Sequence, residues 1–466
     1  MNKKLIAAAV AGLSLAPGLA LAQATSSSPI PTPSQERARE TNESSETNVV
    51  IYGIINGALE FDQDTGATST PDTTPANNLN TLIKAPGPNP ASVQSRQRIQ
   101  SYSSRLGFRG SEDLGNGTKA VFQIENQVNT DGTSSAGLSP GTSLGLREVK
   151  VGLAGSFGEI DYGQWLTPYA LATIYEDDSI LSMGSIHNIL GSTGFGIGPA
   201  GIGGVSAFLP GAYVGRLPNS VIYQSPNFAG FDFRGQYMAD ELKTNSNAAI
   251  KYNPWIFSGS IAYNGGGFRI SYSYQTAKDE IDNIVQTTGT NTFYPTYSNN
   301  FAVGQAVVGA LINGAHSNDT ANKFSISYSF HTAMGDWRIG GIYEQLKYDA
   351  TGLGAAGGNE FLYKRNAYVL LAAYRTGQHA WLLTYAAAQD GSCEITGMAC
   401  SAQDLGARQI AGTYAYALSK RTFINLIAMR LHNKRAAAYN LYNGTGLPAG
   451  SGASPSGGML QIMHLF

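Results

Sequence analysis

Gly457–Phe466 reads GGMLQIMHLF and ends the chain on an aromatic residue. Chain ends usually fray unless something ties them down, so a terminal phenylalanine points to a strand held in place to its last residue. Strand periodicity puts Leu460, Ile462, His464 and Phe466 on one face and the residues between them on the other. Two readings are open for these ten residues: an ordinary buried C-terminal strand, or the last strand of a sheet that closes on itself.

The opposite end of the chain carries an export signal over residues 1–24. Lys3 and Lys4 form a positive start, Leu5 to Leu15 an apolar core, and Ala20-Leu21-Ala22 or Ala22-Gln23-Ala24 a small-x-small cleavage site. Pro17 and Gly18 argue against a retained transmembrane helix. Residues 25–47, rich in Ser, Thr, Pro and Glu, are expected to be a disordered leader. Among 466 residues there are 56 glycines and 25 tyrosines, a composition suited to many strands and turns. A formal net charge of −2 speaks against a nucleic-acid partner. The two cysteines, Cys393 and Cys400, are expected to close a small loop disulfide in an oxidising compartment; without nearby histidines they make a poor metal site.

From Asn48 to the C-terminus the chain alternates apolar and polar residues in segments of about ten. In Asn322–Phe330, Phe324, Ile326, Tyr328 and Phe330 oppose Lys323, Ser325, Ser327 and Ser329; Phe268–Gln275 repeats the pattern. A soluble sandwich also alternates. Two features favour a transmembrane barrel, whose strands face lipid on one side and water on the other. Tyrosine and phenylalanine recur at the ends of the apolar faces, and short turns alternate with long polar loops. The fold expected is therefore all-β, an antiparallel transmembrane barrel of about sixteen strands over 48–466. Its strands run from 48–61 and 95–110 to 420–431 and 457–466. Bacterial outer-membrane barrels end as this chain ends, with the last strand closing the sheet.

Ser104-Arg105-Leu106-Gly107-Phe108-Arg109-Gly110-Ser111-Glu112-Asp113-Leu114-Gly115 resembles a signature of Gram-negative general diffusion porins. Lys119–Glu125, Val151-Gly152-Leu153, Tyr162-Gly163, Arg216–Pro226 and Leu418–Thr422 fit the same family, nearest its beta-proteobacterial type. The resemblance implies a multi-pass barrel in the outer membrane of a Gram-negative cell, without cofactor or metal. Its partners would be two further copies in a homotrimer, membrane lipid and lipopolysaccharide, and the barrel-assembly machinery reading Phe466, His464, Ile462 and Leu460. It would pass small hydrophilic solutes and ions. It also implies that the third long loop, about 165–215, folds into the bore.

A charged waist needs opposite charges on facing walls. Glu176, Asp177 and Asp178 would supply the acids from the inward loop, and Arg105, Arg147 and Arg216 the arginines by motif position. Arg105 shares its face with Arg109. Arg147 falls on the opposite face from Glu148 and Lys150, so either a bulge intervenes or Lys150 is the pore residue. Ile54, Asn56, Met463 and Leu465 stand where such porins often carry basic residues, which makes the bore less basic and leaves ion preference open. A substrate-specific channel is the alternative, narrowed by the glycine-rich run Gly191–Gly211. An enzyme is not expected, because none of the six histidines sits in a catalytic or metal-ligand pattern.

Overall fold

The computed structural model describes residues 48–66, 94–128, 130, 147–179, 181–191, 215–239, 253, 255–278, 316–353, 359–396, 402–435, 437, 439–441 and 452–466. The signal and leader (1–47), all of the glycine-rich run beyond Gly191, and Cys400 lie outside the described residues.

One antiparallel sheet is built from eighteen segments. The first nine are β1 (Asn48–Thr65), β2 (Gln94–Gln100), β3 (Arg105–Gly115), β4 (Thr118–Gln127), β5 (Val149–Gly155), β6 (Gly158–Leu166), β7 (Arg216–Gln224), β8 (Phe231–Ala239) and β9 (Trp255–Gly265). The rest are β10 (Phe268–Lys278), β11 (His316–Thr332), β12 (Gly335–Leu353), β13 (Asn359–Thr376), β14 (His379–Ala388), β15 (Ser392–Ile395), β16 (Ala407–Ala417), β17 (Thr422–Asn433) and β18 (Ser454–Leu465). Two pairs of segments are halves of interrupted strands. β2 and β3 lie end to end along β1, and β15 continues β14 along β13. The wall therefore has sixteen strands, as expected. Between β2 and β3 the chain steps out of the ladder. There the Asn56 side chain replaces the lost pairing, donating to the Tyr102 carbonyl at 2.6 Å and accepting from its N–H at 2.8 Å.

The sheet closes where β18 pairs with β1, from Ile54 opposite Leu465 to Thr65 opposite Ser454. Gly53 and Phe466 add the final rung, with N–H to carbonyl distances of 3.0 and 3.2 Å in the two directions. In hydrocarbon each unpaired backbone group is costly, so closure is what makes a spanning sheet possible. The last rung needs glycine at position 53. A Cβ there would lie 2.5 Å from the Arg105 carbonyl oxygen and 2.6 Å from the Phe466 ring.

Side chains alternate across the wall. On β17, Phe423, Asn425, Ile427, Met429 and Leu431 are buried inward, while Leu426, Ala428 and Arg430 face out. Outward apolar residues such as Val151, Tyr162, Phe233, Tyr272, Phe324, Leu370 and Ile410 are exposed, as a lipid-facing surface requires. Along the rim of short turns the outward rings touch in series. Phe268, Tyr328, Phe330, Trp337, Tyr374, Trp381 and Tyr414 follow one another at centroid distances of 4.5 to 6.5 Å. This is the aromatic girdle expected where a barrel meets the membrane interface. At the β3–β4 turn the structure extends the sequence reading. Ser111 to Gly115 remain in the strand, and the connection contracts to Asn116 and Gly117, both with positive φ (54° and 74°), as a tight hairpin demands.

The interior is not empty. The register of β6 breaks between Gly163 and Trp165, and after Leu166 the chain turns inward. Thr167 then caps a short helix, α1 (Pro168–Ile174), by accepting from the Ala170 N–H at 3.1 Å, with Pro168 preset for the first turn. Helix and following turn, 168–179 and 181–191, are buried inside the cylinder.

Replacing Gly53 by valine should lower the temperature at which the folded form, resistant to detergent in gel electrophoresis, converts to the unfolded one. The loss expected is about 1–3 kcal/mol of stability. Gly57→Val is the control, because nothing stands within 4 Å of a Cβ at that outward position.

Candidate functional site

The inward segment is seated on the arc of wall from β9 to β18. The Tyr169 N–H donates to the Ser258 hydroxyl at 3.1 Å, and the Tyr169 hydroxyl to Glu344 at 2.8 Å. Glu344 is the main anchor. Fully buried on β12, it also accepts from the Gly191 N–H at 2.9 Å and pairs with Arg365 at 3.2 Å and Lys323 at 3.6 Å. Arg365 in turn donates to the Ile189 carbonyl at 3.0 Å. Further round, Gln409 donates to the Gly184 and Ser185 carbonyls at 3.1 Å, and Gln461 to the Leu181 carbonyl at 2.8 Å. Removing one partner from a buried ion pair costs about 3–5 kcal/mol, because the other charge is left uncompensated.

The acids of the segment divide the work. Glu176 meets Arg338 at 3.3 Å and Arg269 at 3.6 Å, and accepts from Ser327 at 3.3 Å. Asp178 pairs with the same Arg338. Asp177 turns back into its own segment, accepting from the hydroxyls of Ser179 and Ser185 at 2.7 Å and from the Ile186 N–H at 3.1 Å. It organises the turn. Burial raises the Glu176 carboxyl above its ordinary range and pushes Asp178 up to about 6, with Arg338 opposing the shift in both.

The arginines expected from the motifs do come together, on the remaining arc. Arg147 donates to Glu125 at 2.7 Å, Arg105 lies 3.5 Å from the same carboxylate, and Arg216 lies 3.7 Å from Glu148. Glu125 and Glu148 are themselves joined by a backbone hydrogen bond of 2.7 Å. The Tyr52 hydroxyl donates to Glu125 at 3.1 Å and accepts from Gln123 at 2.6 Å. Gly107 leaves the space its ring occupies, since a Cβ there would stand 2.3 Å from it. The Arg109 guanidinium lies 5.0 Å from the Tyr52 ring centre. Arg147 precedes β5, so strand parity does not govern it; Lys150, inside β5, also points inward and pairs with Asp161 at 3.0 Å and with Glu159.

The acids and arginines thus do not pair with each other as a facing set. Glu176 and Asp178 bind arginines of β10 and β12, and the motif arginines bind wall acids of their own. Sequence reading passed over Glu125, Glu148 and Tyr52 on one arc, and Arg269, Arg338, Lys323, Glu344 and Arg365 on the other. All but Glu148, which precedes β5, lie on the inward face of an alternating strand, and a polar or charged residue there was the signal available. Ile54, Met463 and Leu465, at positions often basic in such porins, belong to the apolar cluster that receives Leu181, Met183, Ile186, Ile189 and Leu190 of the segment. Cys393 lies on β15 opposite Tyr363.

Residues 7–436 match the family described as Gram-negative porin. Among curated proteins, the major outer membrane protein P.IB of Neisseria meningitidis serogroup B is 32% identical over 48% of this chain and 52% of its own length. The chain therefore spans about half the length of that neisserial relative. The outer membrane porin protein 32 of Delftia acidovorans is 27% identical over 78% of this chain and 85% of its own. Among solved structures, the anion-selective porin of Comamonas acidovorans superposes with a TM-score of 0.60 at 24% identity, over 90% of this chain and all of that one. The outer-membrane protein OmpT of Vibrio cholerae gives a TM-score of 0.54 at 12% identity over 91% of the chain, a likeness of fold alone. With the barrel and its inward segment on the same residues, these matches settle the family: the chain belongs to the Gram-negative porins and lies in the outer membrane as a β-barrel.

Proposed function

We propose that the chain forms a water-filled bore for passive diffusion of small hydrophilic solutes and ions, narrowed at a charged waist. The observation that carries this reading is the division of the lumen. The inward segment fills the β9–β18 arc, and Arg105, Arg147, Arg216, Arg109 and Lys150 gather on the other arc, where Glu125, Glu148 and Asp161 orient them. Arginine keeps its charge at any working pH. A single exposed pair at about 4 Å in water is worth only about 1 kcal/mol, so sorting of ions comes from the summed field of the cluster. The Comamonas acidovorans structure is that of an anion-selective porin. Anion preference is the reading its likeness and the arginine cluster favour here.

The same reading takes residues 1–24 as the cleaved signal, 25–47 as a leader and 48–466 as the barrel. It joins Cys393 to Cys400, assembles three copies, and hands Leu460, Ile462, His464 and Phe466 to the assembly machinery as an outward-facing terminal strand beside lipid and lipopolysaccharide. A substrate-specific channel is the second reading, favoured by the apolar seat of the inward segment. A conductance that saturates with one solute would support it; a large ohmic conductance supports the general pore.

Charge reversal at Arg105 and Arg216 should move the reversal potential in a salt gradient toward cations, changing the permeability ratio about twofold or more. An unchanged ratio removes both from the waist. Acid should act in the opposite sense. The folded value of Asp178, about 6, lies above the ordinary 3.8, so the folded chain holds an extra proton between those values. Its contribution to stability therefore falls as pH rises through that window. Protonated Asp178 leaves Arg338 less compensated, so anion preference should rise as pH drops through about 6. In Asp178→Asn that step should vanish, with the acidic value present at neutral pH.

A further inference from the structure

We infer that the outward wall around β16 and β17 holds a lipid in place: Arg408 and Arg430 take a phosphate of a glycolipid headgroup of the lipopolysaccharide class, whose acyl chains lie on the small residues beneath. The inference gives the lipid contact proposed above a place on the wall. It rests on the barrel in its membrane and not on conduction.

Outward cations are confined to one arc. On β1–β9 the lysines and arginines sit in inward rows, as Arg98 beside Glu60, Lys150 beside Asp161 and Arg234 over the Tyr175 ring do. On the outward rows of β10–β17 stand Lys278, Lys347, Lys364, Arg408 and Arg430, all toward the long-connection ends of their strands. Lys347 is matched by Asp349 at 2.6 Å. Arg408 and Arg430 are exposed and make no ion pair with a described residue. A bare arginine on the lipid face is costly at the bilayer midplane and nearly free at its interface. A strand crosses hydrocarbon in about 9–11 residues. Arg430 is the ninth residue of β17 from its short-turn end, and Arg408 the tenth of β16 counted back from Ala417. Both guanidinium groups therefore reach the headgroup level on the long-connection side, where phosphate is the anion at hand.

The two strands bring the arginines together. Arg408 is opposite His432 and Ile410 opposite Arg430. The arginines are thus diagonal neighbours on one face, with backbones about 7–8 Å apart. At that spacing two planar forks can converge on one phosphate.

The surroundings fit the rest of such a molecule. Below the arginines, Gly412, Ala428 and Gly458 stand side by side across three paired strands, between the exposed Leu383 and Phe61. A Cβ at Gly412 would meet nothing within 4 Å. The patch is low and apolar, a bed for acyl chains. On the β14 side, Gln345 donates to Asn366 at 3.2 Å and Asn366 to Gln389 at 3.3 Å. This outward row of amides ends two residues from Ala387, the register partner of Arg408. A phosphorylated sugar offers hydroxyls to the amides and phosphate to the arginines at once. That combination favours a glycolipid over a phospholipid.

The test titrates the full-length protein, folded in detergent micelles, with bisphosphorylated lipid A, its dephosphorylated form and phosphatidylglycerol. Lipid bound per barrel is read by native mass spectrometry. The parent should hold bisphosphorylated lipid A at least about tenfold more tightly than either of the others. The double variant Arg408→Gln/Arg430→Gln, at the folded gel mobility of the parent, should lose that preference. Lys420→Gln/Arg421→Gln, which removes exposed cations of the opposite rim, should keep it. Either single substitution, Arg408→Gln or Arg430→Gln, should weaken retention by itself, which keeps the test decisive if the pair does not fold. Equal retention by parent and arginine variants would overturn the site, and equal retention of phosphatidylglycerol would overturn the glycolipid. A changed oligomeric state in the arginine variants without loss of bound lipid would give the face to a second copy and overturn the proposal too. Single-channel conductance should be the same in parent and variants. A parent that holds the lipid and does not conduct supports the site and refutes the channel reading instead.

Discussion

Backbone pairing between the first and last strands is the constraint on which the rest depends. A sheet in hydrocarbon has no water to satisfy an open edge. Here the pairing of β1 with β18 removes the edge from Thr65, opposite Ser454, down to the rung between Gly53 and Phe466. The terminal phenylalanine and the glycine without a side chain are two halves of one device. Once the cylinder is closed, strand alternation has only one meaning, and every second side chain is committed to the interior.

What fills that interior decides the chemistry. The inward faces of β13, β14, β16, β17 and β18 carry Ala367, Val369, Ala386, Ala411, Ile427, Met459 and Met463, a greasy surface that would be wasted on water. The inward segment covers it, and buried ion pairs around Glu344, Arg338 and Arg365 fix where the segment stops. Such pairs add little net stability, since desolvating both charges offsets their attraction. Their value is positional, because any other seat would strand a charge. On the β3–β7 arc Arg105, Arg147 and Arg216 are held in place by Glu125 and Glu148.

Most of the fold was legible in the chain. Alternation in segments such as Asn322–Phe330 gives strand and face at once, and the step between short turns and long connections gives the two rims. The boundaries that moved did so where pairing overrode local signals. Ser111–Gly115 has turn-like composition but is held in β3 by its partners on β4. The site was legible only by halves. Periodicity reports that Arg105 and Lys323 point inward, yet says nothing of what meets them across the lumen. Arg105 finds Glu125 two strand positions beyond its own register neighbour Gln127, and Glu176 finds Arg338 from 162 residues away. Arg147 eluded parity because it stands just before its strand begins.

Amide hydrogen exchange in lipid, followed strand by strand, tests the central claim most directly. The account predicts that amides of β1 and β18 between Ile54 and Leu465 are as slow as those of interior strands such as β12 and β13. Rapid exchange along β1 and β18, with the interior strands protected, would mean an open sheet and would contradict it.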